Sequence, residues 1–236
     1  MNEFQREAAN FFHSVVQRER HEFFDVDDVA KWLPEFQSND ARCMCPPFMG
    51  NNYKKRGLVI VPINPGGGNE TSEIRNSGDS LLYPIIHKFK SQKTSVENFY
   101  WEYFVPNFEI AMKTYPIYQK MMPILEAAKV NLDDICYFNF LPYRGKANKY
   151  PKSKKDMENI IPNCIEKFVK PALNFLDPSL IVAFGKQVDI YIEDFWGDFN
   201  CARISWNRDR APKPSVINER EQSINLLEDW SKRRHV

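Results

Sequence analysis

The chain reads as an α/β protein with a three-layer α/β/α arrangement around a central, mostly parallel four-stranded sheet. Two observations lead there. Short, nearly continuous apolar runs end at glycine or at polar clusters, and segments with helical spacing separate them. The clearest run is Leu58 to Ile63 (LVIVPI), apolar on both faces as a buried parallel strand requires. It stops at Asn64-Pro65-Gly66-Gly67-Gly68, which cannot continue regular structure. A second strand is expected over Ile135 to Phe140, a third over Leu180 to Phe184 with Gly185 as its stop, and a fourth over Cys201 to Trp206.

Helical spacing begins at once, with Phe4, Ala8, Phe11, Phe12, Val15 and Val16 on one face. Asp25 is placed to cap a second short helix ending at Pro34, and residues 41–56 read as irregular chain. Residues 80–129 are mostly helical in pattern, and prolines at 84, 106, 116 and 123 are expected to divide them. A further helix carries Ile161, Ile165, Phe168, Ala172, Phe175 and Leu176, with Pro162 near its start and Pro171 as an internal kink. The last helix is expected over Ile217 to Trp230. We therefore expect a helical extension, residues 1–56, packed on an α/β domain formed by residues 57–236.

Composition bounds the function loosely. A net charge of +1 argues neither for nor against nucleic acid, so the distribution of charge decides. The stretch Arg144 to Lys155 is basic and contains no acid. No apolar run is long enough to span a membrane, and the first residues lack a signal-peptide layout. The expectation is a cytoplasmic monomer without a membrane partner. The 5 cysteines read as free thiols. All four histidines, His13, His21, His87 and His235, lie away from strand ends, which leaves a Ser-His-Asp or His-metal site without support.

Ligands of open α/β sheets bind beyond the carboxyl ends of the strands. The segments found there are NPGGGNE, then LPYRGKANKYPKSKK after the second strand, then NRDRAPKPSVIN after the fourth. NPGGGNE lacks the Gly-Lys-Ser/Thr of a phosphate-binding loop and is not GxGxxG, so a nucleotide-cofactor enzyme is the weaker reading. As a plain turn, the loop needs glycine for positive φ. The basic run is either a solvated loop, as charge runs usually are, or a phosphate-tracking one, and its place on the same rim as Asn64 brings the second reading level with the first.

The order of these short motifs resembles the uracil-DNA glycosylase superfamily. Ile63-Asn64-Pro65-Gly66 is similar to the first motif, G-I-N-P-G or G-M-N-P-G, of its mismatch-specific and single-strand-selective branches. Asn139-Phe140-Leu141-Pro142 resembles the N-x-x-P whose asparagine reads the base. Asp177 to Lys186 resembles the P-x-x-I-V-A-L-G strand, and Lys213 to Asn218 the wedge loop H-P-S-P-R-N. The likeness covers about residues 57–230. Pro62 stands where the family has glycine, and Lys213 replaces the wedge-loop histidine, with Asn207 as an alternative for its role.

The resemblance implies a monofunctional DNA glycosylase with no metal or other cofactor, which flips a base out of DNA and leaves an abasic site. Asn64 would position the attacking water. Asn139, Gly66, Gly67 and Tyr83 are the candidate base-binding residues. Arg144, Lys146, Lys152, Arg208, Arg210, Lys213 and Ser215 are the candidate DNA contacts. The uracil-selective branch has a blocking tyrosine after its first motif, whereas Gly66 to Gly68 present no side chain. A bulky 5-substituted pyrimidine, such as a hypermodified phage cytosine, is therefore expected ahead of uracil, with a role in antiviral defence. The alternatives are a uracil or mismatch repair glycosylase and a non-catalytic DNA-binding module.

Overall fold

A computed structural model describes residues 1–24, 43–63, 77–143, 160–193, 197, 199, 201–206 and 214–234. It is α/β, built on one five-stranded sheet with strand order β1-β3-β2-β4-β5. The strands are β1 (Phe48–Met49), β2 (Leu58–Pro62), β3 (Ile135–Tyr137), β4 (Leu180–Phe184) and β5 (Ala202–Trp206). β2 pairs in parallel with β3 (Leu58 opposite Ile135) and with β4 (Leu58 opposite Leu180), and β4 pairs in parallel with β5 (Leu180 opposite Ala202).

The four expected strands pair in parallel, and the sheet is corrected from four strands to five by β1, which makes it mixed. β1 lies in the stretch read as irregular. Gly50 N–H donates to the Ile135 carbonyl (2.9 Å) and Asn52 N–H to that of Asp133 (2.8 Å). The partner number falls as the chain advances, so β1 runs antiparallel to β3. Two residues are too few to show any periodicity, which is why the pattern missed this strand.

β3 is shorter than expected, and Pro62 supplies the reason. Phe138 N–H still donates to the Ile60 carbonyl at 3.2 Å. Residues that bond the same neighbour recur every second position, so the next donor from β2 would be the N–H of residue 62. Proline has none, and the ladder ends there. At the end of β4, Gly185 has φ of 114°, a left-handed value that glycine tolerates. Its N–H donates to the Trp206 carbonyl at 2.8 Å, closing the ends of β4 and β5 together.

The helices are α1 (Glu3–Val16), α2 (Ser77–Lys90), α3 (Val96–Phe99), α4 (Val105–Thr114), α5 (Pro116–Ala128), α6 (Lys170–Leu176), α7 (Lys186–Glu193) and α8 (Pro214–Arg234). Residues 160–164 are also helical. The short helix expected after Asp25 lies outside the described residues. Pro84 and Pro123 do not divide the helices but sit inside α2 and α5. Each removes a bond to the carbonyl four residues earlier, at Ser80 and Gln119. Both of those residues are exposed, so water can take the place of the lost donor.

Pro106 and Pro171 act differently. π-helical segments, Tyr100–Phe104 and Ile165–Val169, precede them, and Val105 and Lys170 each donate five residues back, to Tyr100 and Ile165. A proline ring collides with the carbonyl four residues before it, here Glu102 or Lys167. Both are central residues of the π segments, and the wider turn lets the carbonyl avoid the ring. The kink expected at Pro171 takes this form.

The chain divides into two compact units: residues 1–48, 64–115 and 139–175, and residues 49–63, 116–138 and 176–236. The second holds β2 to β5; there α7 packs on β4 and β5, and α8 packs on β5 and α5. The core of the first is aromatic. Phe48 stacks on Phe108 with ring centres 4.6 Å apart, and Tyr100 meets Phe12 and Phe89, each at 5.5 Å. α2 packs against α4 and the Tyr100–Phe104 segment in this unit.

Candidate functional site

Much of the expected site falls outside the described residues: Asn64, Gly66, Gly67, Arg144, Lys146, Lys152, Arg208, Arg210 and Lys213, together with Asn207. Ser215 is described, exposed near the start of α8 in the second unit. Asn139 and Tyr83 both belong to the first unit and both are buried.

Asn139 follows β3 by two residues and is 5% exposed. Its carboxamide oxygen Oδ1 has no hydrogen-bond partner among the described residues. Leaving such an acceptor unmet in a buried place costs about 1–3 kcal/mol. Buried polar atoms are nearly always satisfied, so this oxygen has capacity to accept from an ordered water or a ligand.

The first turn of α2 contributes Asp79, which is 2% exposed. Tyr83 stands four residues later on the same helical face. The Tyr115 hydroxyl donates to Asp79 Oδ1 at 2.6 Å. Tyr115 reaches this place because α4 ends at Thr114: the residue before Pro116 is forced out of helical geometry, and Tyr115 is extended, with φ −84° and ψ 137°.

Cys45 completes the group. Its N–H donates to the Pro142 carbonyl at 2.9 Å, while Tyr100 holds the Pro47 carbonyl, also at 2.9 Å. Burial, and then the charge of Asp79, push the Cys45 thiol up to about 12. Burial raises the Tyr115 phenol as well, and the Asp79 charge and hydrogen bond reinforce it. Tyr115 and Cys45 therefore stay protonated at neutral pH.

Asp79, Tyr115 and Cys45 were missed by sequence reasoning. A signal for Asp79 existed: it is an acid at the start of the apolar stretch LLYPII, one helical turn before Tyr83. Tyr115 before Pro116 carried no comparable signal, because its partner is 36 residues away. Among the described residues no group of His, Cys, Asp or Glu side chains is placed to hold a metal ion, and no helix is long and apolar enough to cross a membrane. A scan of known family models gives no match to the chain, and no curated protein sequence matches it.

Proposed function

We propose that the protein is a monofunctional DNA glycosylase that hydrolyses the N-glycosidic bond of a flipped-out, 5-substituted pyrimidine. The observation that supports this reading best is the buried, unmet carboxamide oxygen of Asn139, two residues beyond a parallel strand. An amide side chain presents a donor and an acceptor side by side. The Watson–Crick edge of a pyrimidine presents the complementary pair, and a flipped base offers that edge to the protein.

The chemistry asks little of the protein beyond position and polarity. As the bond stretches, the sugar gains positive charge and the base gains negative charge. Asn64 is proposed to orient the water that captures the sugar. The Asn139 amide and backbone N–H groups of Gly66 to Gly68 are proposed to bond the departing base where its charge develops. Protonation of the base and hydroxylation of the sugar carbon balance the reaction, which needs no cofactor. The reading also carries a three-layer α/β/α arrangement, a cytoplasmic monomer with DNA as its partner, and a role against phage whose DNA holds hypermodified cytosine.

The test is a panel of oligonucleotides, each with one uracil, thymine, 5-hydroxymethylcytosine or glycosylated hydroxymethylcytosine, treated with protein and then with hot alkali. Strand breaks at the 5-substituted base are expected. Asn64→Ala should abolish release while DNA binding persists, and Asn139→Ala should slow it by about 100- to 1000-fold. Absence of abasic sites with every base overturns the reading; efficient release of uracil alone returns it to repair.

A further inference from the structure

A cleft of about 420 Å³ opens where α1 ends, beside the 3-10 turn Arg20–Glu22, the π segment Ile165–Val169 and the start of α6. All of these belong to the first compact unit. The volume falls in the range of small-molecule sites. The lining combines an apolar surface from Phe11, Val15 and Pro171 with the charged groups of Arg18, Glu22 and Lys167. Phe11 is held in place by stacking on Phe175, with ring centres 4.7 Å apart. Lys167 is the central residue of the π segment, and Pro171, whose ring requires that wider turn, is itself part of the lining. Such π turns recur at functional sites.

Hydrogen bonding within the lining leaves charged donors in excess. Ser14 donates to the Phe11 carbonyl and Gln17 to the Lys90 carbonyl, each at 2.7 Å. Both carboxylate oxygens of Glu22 are engaged: Oε1 accepts from the Glu19 N–H at 2.7 Å and Oε2 from Arg18 at 3.3 Å. That long contact is the only one the Arg18 guanidinium makes among the described residues, so most of its N–H fork is open. Lys167 donates from Nζ to the Glu22 main-chain carbonyl, and the rest of its ammonium has no partner among the described residues. Glu22 is thus the shared partner of both cations and brings them to one place. The Arg18 and Glu22 side chains are 38% and 34% exposed, so a ligand can reach them.

We infer that this cleft binds a small organic anion, a carboxylate on an aromatic body. Arg18 and Lys167 against Glu22 leave an excess of positive charge that a monoanion neutralises. A guanidinium fork matches the two oxygens of a carboxylate, and the resulting bonds are charge-assisted. The fixed Phe11 ring, with Val15 and Pro171, covers the body, and aromatic pairs gain beyond the area they bury. A DNA phosphate would meet the same cations but would gain nothing from this apolar surface. The inference stands apart from the glycosylase reading.

The experiment titrates the full chain with benzoate and indole-3-acetate, followed by saturation-transfer NMR of the ligand. Two controls separate the parts of the recognition: the neutral amides, benzamide and indole-3-acetamide, have the body without the charge, and acetate has the charge without the body. Both aromatic carboxylates should bind saturably and at least about tenfold more tightly than either control. Arg18→Gln should weaken them by about tenfold or more, while the loss of an exposed ion pair leaves stability nearly unchanged. Ser14→Phe, which fills the cleft from an exposed position, should abolish binding, with circular dichroism checking the fold. No saturable binding of either carboxylate overturns the inference, as does equal binding of the amides or of acetate. These comparisons use the wild type and so decide the matter even where a variant fails to fold. Unchanged affinity in folded Arg18→Gln also overturns it. If neither carboxylate binds and Arg18→Gln lowers the affinity for an oligonucleotide, the cations hold phosphate and the inference is overturned in favour of a nucleic-acid contact.

Discussion

Cys45 shows how far a side chain's surroundings set its chemistry. A thiol reacts as thiolate, and both burial and the neighbouring Asp79 carboxylate oppose that form. The same logic extends to the other thiols. Cys43, Cys45, Cys136 and Cys164 are buried, whereas Cys201 is half-buried. Burial is also the main cause that pushes the Cys201 thiol up to about 11. A raised thiol pKa lowers the thiolate fraction, so at pH 8 Cys201 should be alkylated on the order of 100-fold more slowly than a free cysteine. It should still react before the other four, which require unfolding. Mass spectrometry of a timed iodoacetamide reaction reads the order directly, and early labelling of Cys45 would contradict the packing around Asp79. At this scale the sequence was partly legible. Asn139, named through the motif it resembles, and Tyr83 are both buried, and their expected contact with a base remains a proposal. The Asp79–Tyr115 bond was not legible, because it joins two helices and depends on how α4 ends.

Proline and glycine decide most of what distinguishes the elements from a plain reading of apolar runs. The long strands and helices were legible because their periodicity or continuous apolarity extends over several residues. What escaped was set by single backbone donors. Pro62 ends the β2–β3 ladder by lacking an N–H, so a six-residue apolar run yields a three-residue strand. Pro106 and Pro171 produce π turns where a break or a kink was the natural expectation. β1 escaped because its identity lies in bonds to β3 rather than in its own pattern. It is secured by a close approach at Gly50, where a Cβ would lie 2.4 Å from the backbone of Leu132 and Asp133. The Asp133 carbonyl is held by the Asn52 N–H and the Leu132 carbonyl by the Ile135 N–H, so neither withdraws without straining a hydrogen bond. Gly50→Ala should therefore destabilise the protein by about 1–3 kcal/mol, as overpacking does. That corresponds to a Tm lower by roughly 2–12 °C for a chain of this size. Thermal unfolding followed by circular dichroism tests it, and an unchanged Tm would show that β1 is not held this closely.

Charge is the property of the whole molecule that bears on DNA. With a net charge of +1, the chain has no general attraction for a polyanion, so affinity must come from charge concentrated in one place. The sequence offers such a place in Arg144, Lys146, Lys149, Lys152, Lys154 and Lys155, a run that follows Asn139 directly along the chain and lies outside the described residues. On the proposed glycosylase reading, a base-reading Asn139 and phosphate-holding cations would share one continuous segment, and grip on the backbone would be coupled to reading of the flipped base. Neutralising a phosphate releases its counterions, and each phosphate so paired adds a fixed increment to the salt dependence of binding. Neutralising Lys152, Lys154 and Lys155 together should weaken binding to all sequences alike and flatten the plot of log affinity against log salt. The slope should change by about 0.7–0.9 for every phosphate that no longer meets a cation. Asn139→Ala serves as the counterpart, since it removes the proposed base contact without removing charge, and its slope should match the wild type. Fluorescence anisotropy with a labelled oligonucleotide across a salt series measures both. A triple variant with the wild-type slope would mean that these lysines are only solvated, and that whatever holds DNA lies elsewhere on the surface.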